Sequence, residues 1–192
     1  MHRIRYAMAA PKRENKLMGT VEADETYIDG KPIYRWKTKR GRGTKKTPVF
    51  AVVKRDGDVR TKVVSNVTSK TLGKEIFSNV DLRSRLMTDD YKSYRKIGIK
   101  FPGVHFTIEH DLGLYARGDI YTNTIESWFA VLKRVVYGTF HAVSKKHLHR
   151  YVSEFEFRWN NRKIDDGERV VAAIKGADGK RLIYREPKEK IA

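Results

Sequence analysis

Asp24, Asp89 and Glu126 stand in three different kinds of local sequence. Asp24 lies within Gly19-Thr-Val-Glu-Ala-Asp-Glu-Thr-Tyr-Ile28, a run rich in residues that favour strands. Asp89 follows the short strand-like stretch Leu86-Met-Thr88, and Glu126 opens the helix-like run Asn123-Thr-Ile-Glu-Ser-Trp-Phe-Ala-Val-Leu-Lys133. Carboxylate oxygens are the natural ligands of Mg²⁺, with Mn²⁺ as a substitute. Two strand acids and a later helix acid form the arrangement that gathers two such ions for cutting and joining phosphodiesters. The chain carries 41 Lys and Arg against 23 Asp and Glu, a net charge of +18. Together these features point to an enzyme acting on nucleic acid.

Each acid also has a plainer reading. A carboxylate among Val21, Ala23 and Ile28 must be paired, protonated or metal-bound, because a lone buried charge is costly. A strand-end salt bridge would serve Asp24 as well. Strand alternation puts Glu22 on the same face, as a competitor, and turns Glu25 away. Of Asp89 and Asp90, one faces the site; Asp89 is preferred because it directly follows the strand, although either suits a turn or helix cap before Tyr91. Glu126 in a first helical turn also suits the helix dipole. Lys133 lies seven residues on, along the same face, where it could hold a phosphate or simply be solvated. Asn123 could cap the helix or lend an amide to the site. His110 is the histidine best placed for a catalytic loop. His147 and His149 are two apart and cannot pair on a metal as i, i+4 residues would. No HExxH, P-loop or G-x-S-x-G motif occurs.

A length of 192 residues suits one domain with a real core. Without cysteine, the chain has no disulfide, thiol nucleophile or Cys-based zinc site, which fits a reducing compartment. No apolar run approaches the ~20 residues that span a bilayer. The expected location is cytoplasmic, on the nucleoid.

The acids need a scaffold. Strands are expected at 19–29, at Pro48–Arg55 and from Val59 to Val67, with Asp56-Gly57 as the hairpin turn between the last two. Thr68 or Ser69 caps a helix through Val80, with Leu72, Ile76 and Val80 on one face. The strand before Asp89 follows, then a helix from Tyr91 that Gly98 ends, then a fifth strand, Val104–Ile108. Two longer helices complete the pattern. One covers about 123–137 and buries Ile125, Phe129, Leu132 and Val136. The other starts near Ser144 and buries Leu148, Val152, Phe155 and Trp159. Glu168–Lys175 adds a short helix. The fold class is α/β, a mixed sheet with helices on its faces. Between the first two strands, Lys31–Lys46 carries Lys37, Lys39, Arg40 and Arg42 in a glycine-loosened loop suited to gripping a phosphate backbone.

At greater length the chain resembles the ISXO2-like (IS1595-type) insertion-sequence transposases. The resemblance is carried by Val21-Glu-Ala-Asp-Glu-Thr-Tyr-Ile-Asp-Gly-Lys31, by Leu86-Met-Thr-Asp-Asp-Tyr-Lys-Ser-Tyr94, and by Tyr121-Thr-Asn-Thr-Ile-Glu-Ser-Trp-Phe-Ala-Val-Leu-Lys-Arg134. Tyr137-Gly-Thr-Phe-His141, Ser144–Tyr151 and Glu154–Arg162 extend it, over about residues 19–185 in all. It implies an RNase H-like fold with a five-stranded mixed sheet and a DDE-type catalytic centre. The metal-binding triad falls on Asp24, Asp89 and Glu126, and the family's downstream lysine on Lys133. The implied reaction is cleavage at transposon ends and strand transfer into target DNA, dependent on two Mg²⁺ ions, in a homo-oligomeric complex. Lys133 and Arg134 would position phosphate. Where Tyr121 stands, the family often has His, so Tyr121 takes no role.

On this reading residues 1–18 are a lead-in, 19–185 the catalytic domain and 186–192 a polar tail. Full-length members usually begin with a zinc-ribbon or helix-turn-helix region, so this cysteine-free chain reads as a catalytic core. Three rivals remain: an inactive DNA-binding relic, a basic nucleic-acid-binding module with structural acids, and a nuclease that hydrolyses without strand transfer.

Overall fold

The computed structural model describes residues 1–10, 15–28, 46–101, 105–108 and 119–181. The chain runs through helix α1 (His2–Met8), strands β1 (Thr20–Ile28), β2 (Thr47–Lys54) and β3 (Val59–Val63), and helix α2 (Ser69–Asn79). Then come β4 (Arg85–Asp89), α3 (Lys92–Gly98), β5 (His105–Ile108), α4 (Asn123–Gly138), α5 (Leu148–Asn160) and α6 (Asp166–Lys175). The five strands form one mixed sheet in the order β3-β2-β1-β4-β5. β1 pairs antiparallel with β2 and parallel with β4; β4 pairs parallel with β5.

Strand alternation sorts the core into two layers. Ile28, Val49, Ala51 and Val53 meet Ile125, Trp128, Phe129 and Leu132 of α4 and Leu148, Val152 and Phe155 of α5. On the other face Val21, Ala23, Phe50, Val52 and Leu86 meet Leu72 and Ile76 of α2 and Tyr94 and Ile97 of α3. The helical stripes read from periodicity are the ones buried, except that Trp159 is only partly covered.

Four local expectations change. β3 ends at Val63 rather than Val67: the Val64 N–H still bonds in register to the Pro48 carbonyl at 3.1 Å, but Pro48 has no N–H to return the bond. α5 begins at Leu148, after a turn in which the His147 and Leu148 N–H groups both donate to the Ser144 carbonyl. Asn123 does not cap α4; Thr122 holds that place. Gly98 is the last residue of α3 rather than its left-handed stop, and its φ is not positive. It is glycine for space: a Cβ there would run into the ring of His105, which Thr88 Oγ1 holds at 2.9 Å. Gly98→Ala should therefore cost about 1–3 kcal/mol in urea unfolding, despite the better helix propensity of alanine.

α5 also shields the sheet edge. Asn160 Oδ1 accepts the Val59 N–H at 2.8 Å while its Nδ2 donates to the Val59 carbonyl at 3.0 Å. Glu156 Oε2 accepts the Thr61 N–H at 2.9 Å. These side chains occupy backbone groups that an exposed edge would offer to another strand. The start of the chain packs on α5 as well. Arg5 is buried, its Nε 2.7 Å from Glu154 Oε2 and its guanidinium 3.9 Å from the Tyr151 ring centre. Among the described residues no helix is long and apolar enough to cross a membrane.

Candidate metal centre

Two neighbouring parallel strands bring the first two acids together. β1 and β4 run in the register Val21↔Leu86 and Glu22↔Met87. The paired register ends at Glu22↔Met87, two residues before Asp24 and Asp89, and the two acids remain near enough for the Asp89 charge to act on Asp24. On the other side of β1, Asp24 pairs with Ala51 of β2. By alternation Asp24 shares its face with Glu22 and Ile28, the face that α4 covers. Glu126 lies in the first turn of α4 and is exposed.

The electrostatics report the same convergence. The Asp24 carboxyl is pushed well above the usual carboxylate range, first by burial, then by the negative charges of Glu25, Asp89 and Glu126. The Glu25 N–H donates to Asp24 Oδ1 at 2.7 Å and works weakly against that rise. Among the described residues no Lys or Arg pairs with Asp24. Asp89 Oδ1 accepts the Tyr91 N–H at 3.1 Å, which fixes its carboxylate at the strand end. Asp90 turns outward to Arg95 at 2.9 Å. Thr122 Oγ1 donates to Glu126 Oε1 at 2.9 Å.

Glu22, the competitor, is spoken for. It is wholly buried and bonds to Arg55, Thr124 and the Ile125 N–H. Glu25 faces the other layer, accepting from the Tyr94 hydroxyl at 2.7 Å. Lys133 and Arg134 are exposed on α4. Lys133 stands about 10 Å along the axis from Glu126, at 1.5 Å per residue. Lys37, Lys39, Arg40, Arg42 and His110 lie outside the described residues, as do 182–192.

An all-oxygen donor set fits a hard divalent cation such as Mg²⁺ or Mn²⁺. Among the described residues no group of three or more His, Cys, Asp or Glu side chains is placed to hold a metal ion, so a cation there would require these acids to draw closer. Mutual repulsion at Asp24 is what a cation between them would relieve. Sequence reasoning passed over Arg55 and Thr122. Arg55 abuts a hairpin turn, where one more cation in a basic chain carries no signal, and its partners are far away in sequence.

The model of the ISXO2-like transposase domain matches residues 16–160. A protein of Halobacterium salinarum, described as an uncharacterized protein in transposable element ISH50, is 26% identical over 171 residues, 82% of this chain and 57% of its own length. An uncharacterized transposase-like protein of Haemophilus influenzae is 34% identical over 106 residues, 55% of this chain and 84% of its own length. The chain thus spans little more than half of the halobacterial relative. No solved structure matches. The family match covers well over half of the chain and includes all three acids, so the chain belongs to the ISXO2-like transposase family.

Proposed function

We propose that this chain is the catalytic core of a DDE-type DNA transposase with an RNase H-like fold. Its reaction would be metal-dependent cleavage at transposon ends, followed by strand transfer into target DNA. The observation that supports this reading is that the charges of Asp89 and Glu126 both act on the Asp24 carboxyl and raise it. The strand order β3-β2-β1-β4-β5, with β1 to β3 antiparallel and β4 and β5 parallel, supports the fold assignment.

Asp24, Asp89 and Glu126 would hold two Mg²⁺ ions, which supply charge stabilisation at the attacking and leaving oxygens of an in-line displacement. The strand acids provide fixed ligands because the sheet holds their backbones. Glu126 arrives from the other layer, held by Thr122. Lys133 and Arg134, exposed beyond Glu126, would position the DNA backbone. Lys37, Lys39, Arg40 and Arg42 would grip phosphate without reading sequence. The working complex would be a homo-oligomer on DNA, in the cytoplasm.

The test is nicking of supercoiled plasmid in Mn²⁺, with joining of a pre-cut duplex bearing the element's terminal sequence. Wild type should nick and join. Glu126→Gln should be slower by about 10²-fold or more, as loss of one charge-stabilising group implies. Equal activity in both proteins would overturn the role of Glu126. Salt-sensitive DNA binding without cleavage in either would favour a binding-only relic.

A further inference from the structure

The third acid comes from a helix, and its position depends on how that helix starts. α4 lacks a side-chain cap of its own. Its first turn is held instead by Glu22 of β1. Glu22 Oε2 accepts the Ile125 N–H at 3.0 Å, and Oε1 accepts from Thr124 Oγ1 at 3.0 Å and from Arg55 Nε at 2.7 Å. Those two helix residues immediately precede Glu126. Arg55 then holds the segment that leads into the helix: Nη1 donates to the Asp119 carbonyl at 2.7 Å and Nη2 to the Tyr121 carbonyl at 2.8 Å. Its guanidinium lies 3.6 Å from the centre of the Tyr121 ring. Glu22, with three donors on its two oxygens, is occupied as an acceptor and is no rival ligand.

We propose that Glu22, Arg55 and Tyr121, to which the family resemblance gave no role, are positioning residues that set Glu126 against Asp24 and Asp89. The proposal rests on the reading of those three acids as a divalent-cation site. Apolar packing of Ile125, Trp128, Phe129, Leu132 and Val136 already holds α4 to the sheet. The clamp adds what packing along a smooth apolar face does not, the rotation and axial position of the first turn. An error of about 1 Å at such a group costs on the order of 10²-fold in rate.

Calorimetric Mn²⁺ titration of the full chain tests this without DNA. The variants are Arg55→Lys, Tyr121→Leu, Glu126→Gln and the double variant Arg55→Lys/Glu126→Gln. Arg55→Lys keeps the charge beside Glu22 but loses the fork that reaches both carbonyls. Tyr121→Leu keeps every backbone acceptor and removes only the ring, so it serves if the arginine variant folds poorly. Arg55→Lys should weaken Mn²⁺ binding about tenfold and Tyr121→Leu about threefold, with circular dichroism unchanged. In the Glu126→Gln background, Arg55→Lys should have no further effect, because the clamp acts through Glu126. If Glu126→Gln weakens binding while both clamp variants bind like wild type, the positioning role is overturned. It is equally overturned if Arg55→Lys weakens binding as much without Glu126 as with it. If Glu126→Gln itself binds like wild type, the cation-site reading fails, and the clamp proposal falls with it.

Discussion

Asp24→Asn should make the metal-free protein more stable and leave it without metal-dependent activity. The wild-type carboxyl titrates well above the ordinary Asp value of 3.8, because of burial and the charges of Glu25, Asp89 and Glu126. An acid whose folded pKa is raised favours folding while protonated. That contribution is complete below the unfolded pKa and is lost as pH rises through the folded one. At neutral pH without metal, Asp24 is therefore a burden on the fold. An Asn of the same shape removes the charge, and the melting temperature should rise by about 2–4 °C, the shift that ~1 kcal/mol gives in a domain of this size. The gain over wild type should shrink as pH falls toward 4. Strand joining should drop by about 10³-fold or more, several kcal/mol of lost charge stabilisation. A divalent cation should reverse the stability order, stabilising wild type by ~2.7 kcal/mol at a hundredfold excess over Kd while leaving Asp24→Asn unmoved. Protons compete with the cation for the raised Asp24 carboxyl, so wild-type Mn²⁺ affinity should climb as pH rises through its titration. A variant that is less stable than wild type in chelator would contradict the electrostatic account of this site.

The second large effect is structural. Glu154 is buried on α5 and holds two arginines: Arg5 of α1 at 2.7 Å and Arg158 one turn on, also at 2.7 Å. Arg5 is buried too, against the Tyr151 and Phe140 rings. Glu154→Ala would leave the Arg5 guanidinium without its counter-charge inside the protein. Breaking a buried pair from one side costs about 3–5 kcal/mol. Thermal melting should fall by roughly 6 °C or more, and amide exchange in α1 should rise more than in the sheet. Arg158→Ala should change little, because that side chain is mostly exposed and its loss leaves Glu154 still paired. A Glu154→Ala protein that melts like wild type would show that α1 contributes little to the fold.

Local pattern made most elements legible. Leu72, Ile76 and Val80, and the α4 and α5 stripes, read directly from helical period. The Asp56-Gly57 turn follows from its residues, and Asp56 takes a positive φ of 55°. Pattern failed where the deciding partner was distant. Strand alternation put Glu22 and Asp24 on one face but could not say which was paired; the answer is Arg55, 33 residues away. β3 stops early because Pro48, opposite Val64, has no N–H to continue the ladder, and Gly98 is glycine because of His105. Arg5 lies in the stretch read only as a lead-in, yet it is buried on an acid 149 residues later. The three acids were legible as types in context. Their proximity depends on β4 pairing parallel beside β1, a crossover that no window of sequence displays.

The most direct measurement is anomalous diffraction at the manganese edge from crystals of the wild-type chain grown in Mn²⁺. A peak is expected within about 2.0–2.3 Å of carboxylate oxygens from both Asp24 and Asp89, with Glu126 turned toward it, and no such peak in Asp24→Asn crystals. Mn²⁺ seated elsewhere, or retained between the strands when Asp24 is Asn, would contradict the assignment of these acids as the metal centre.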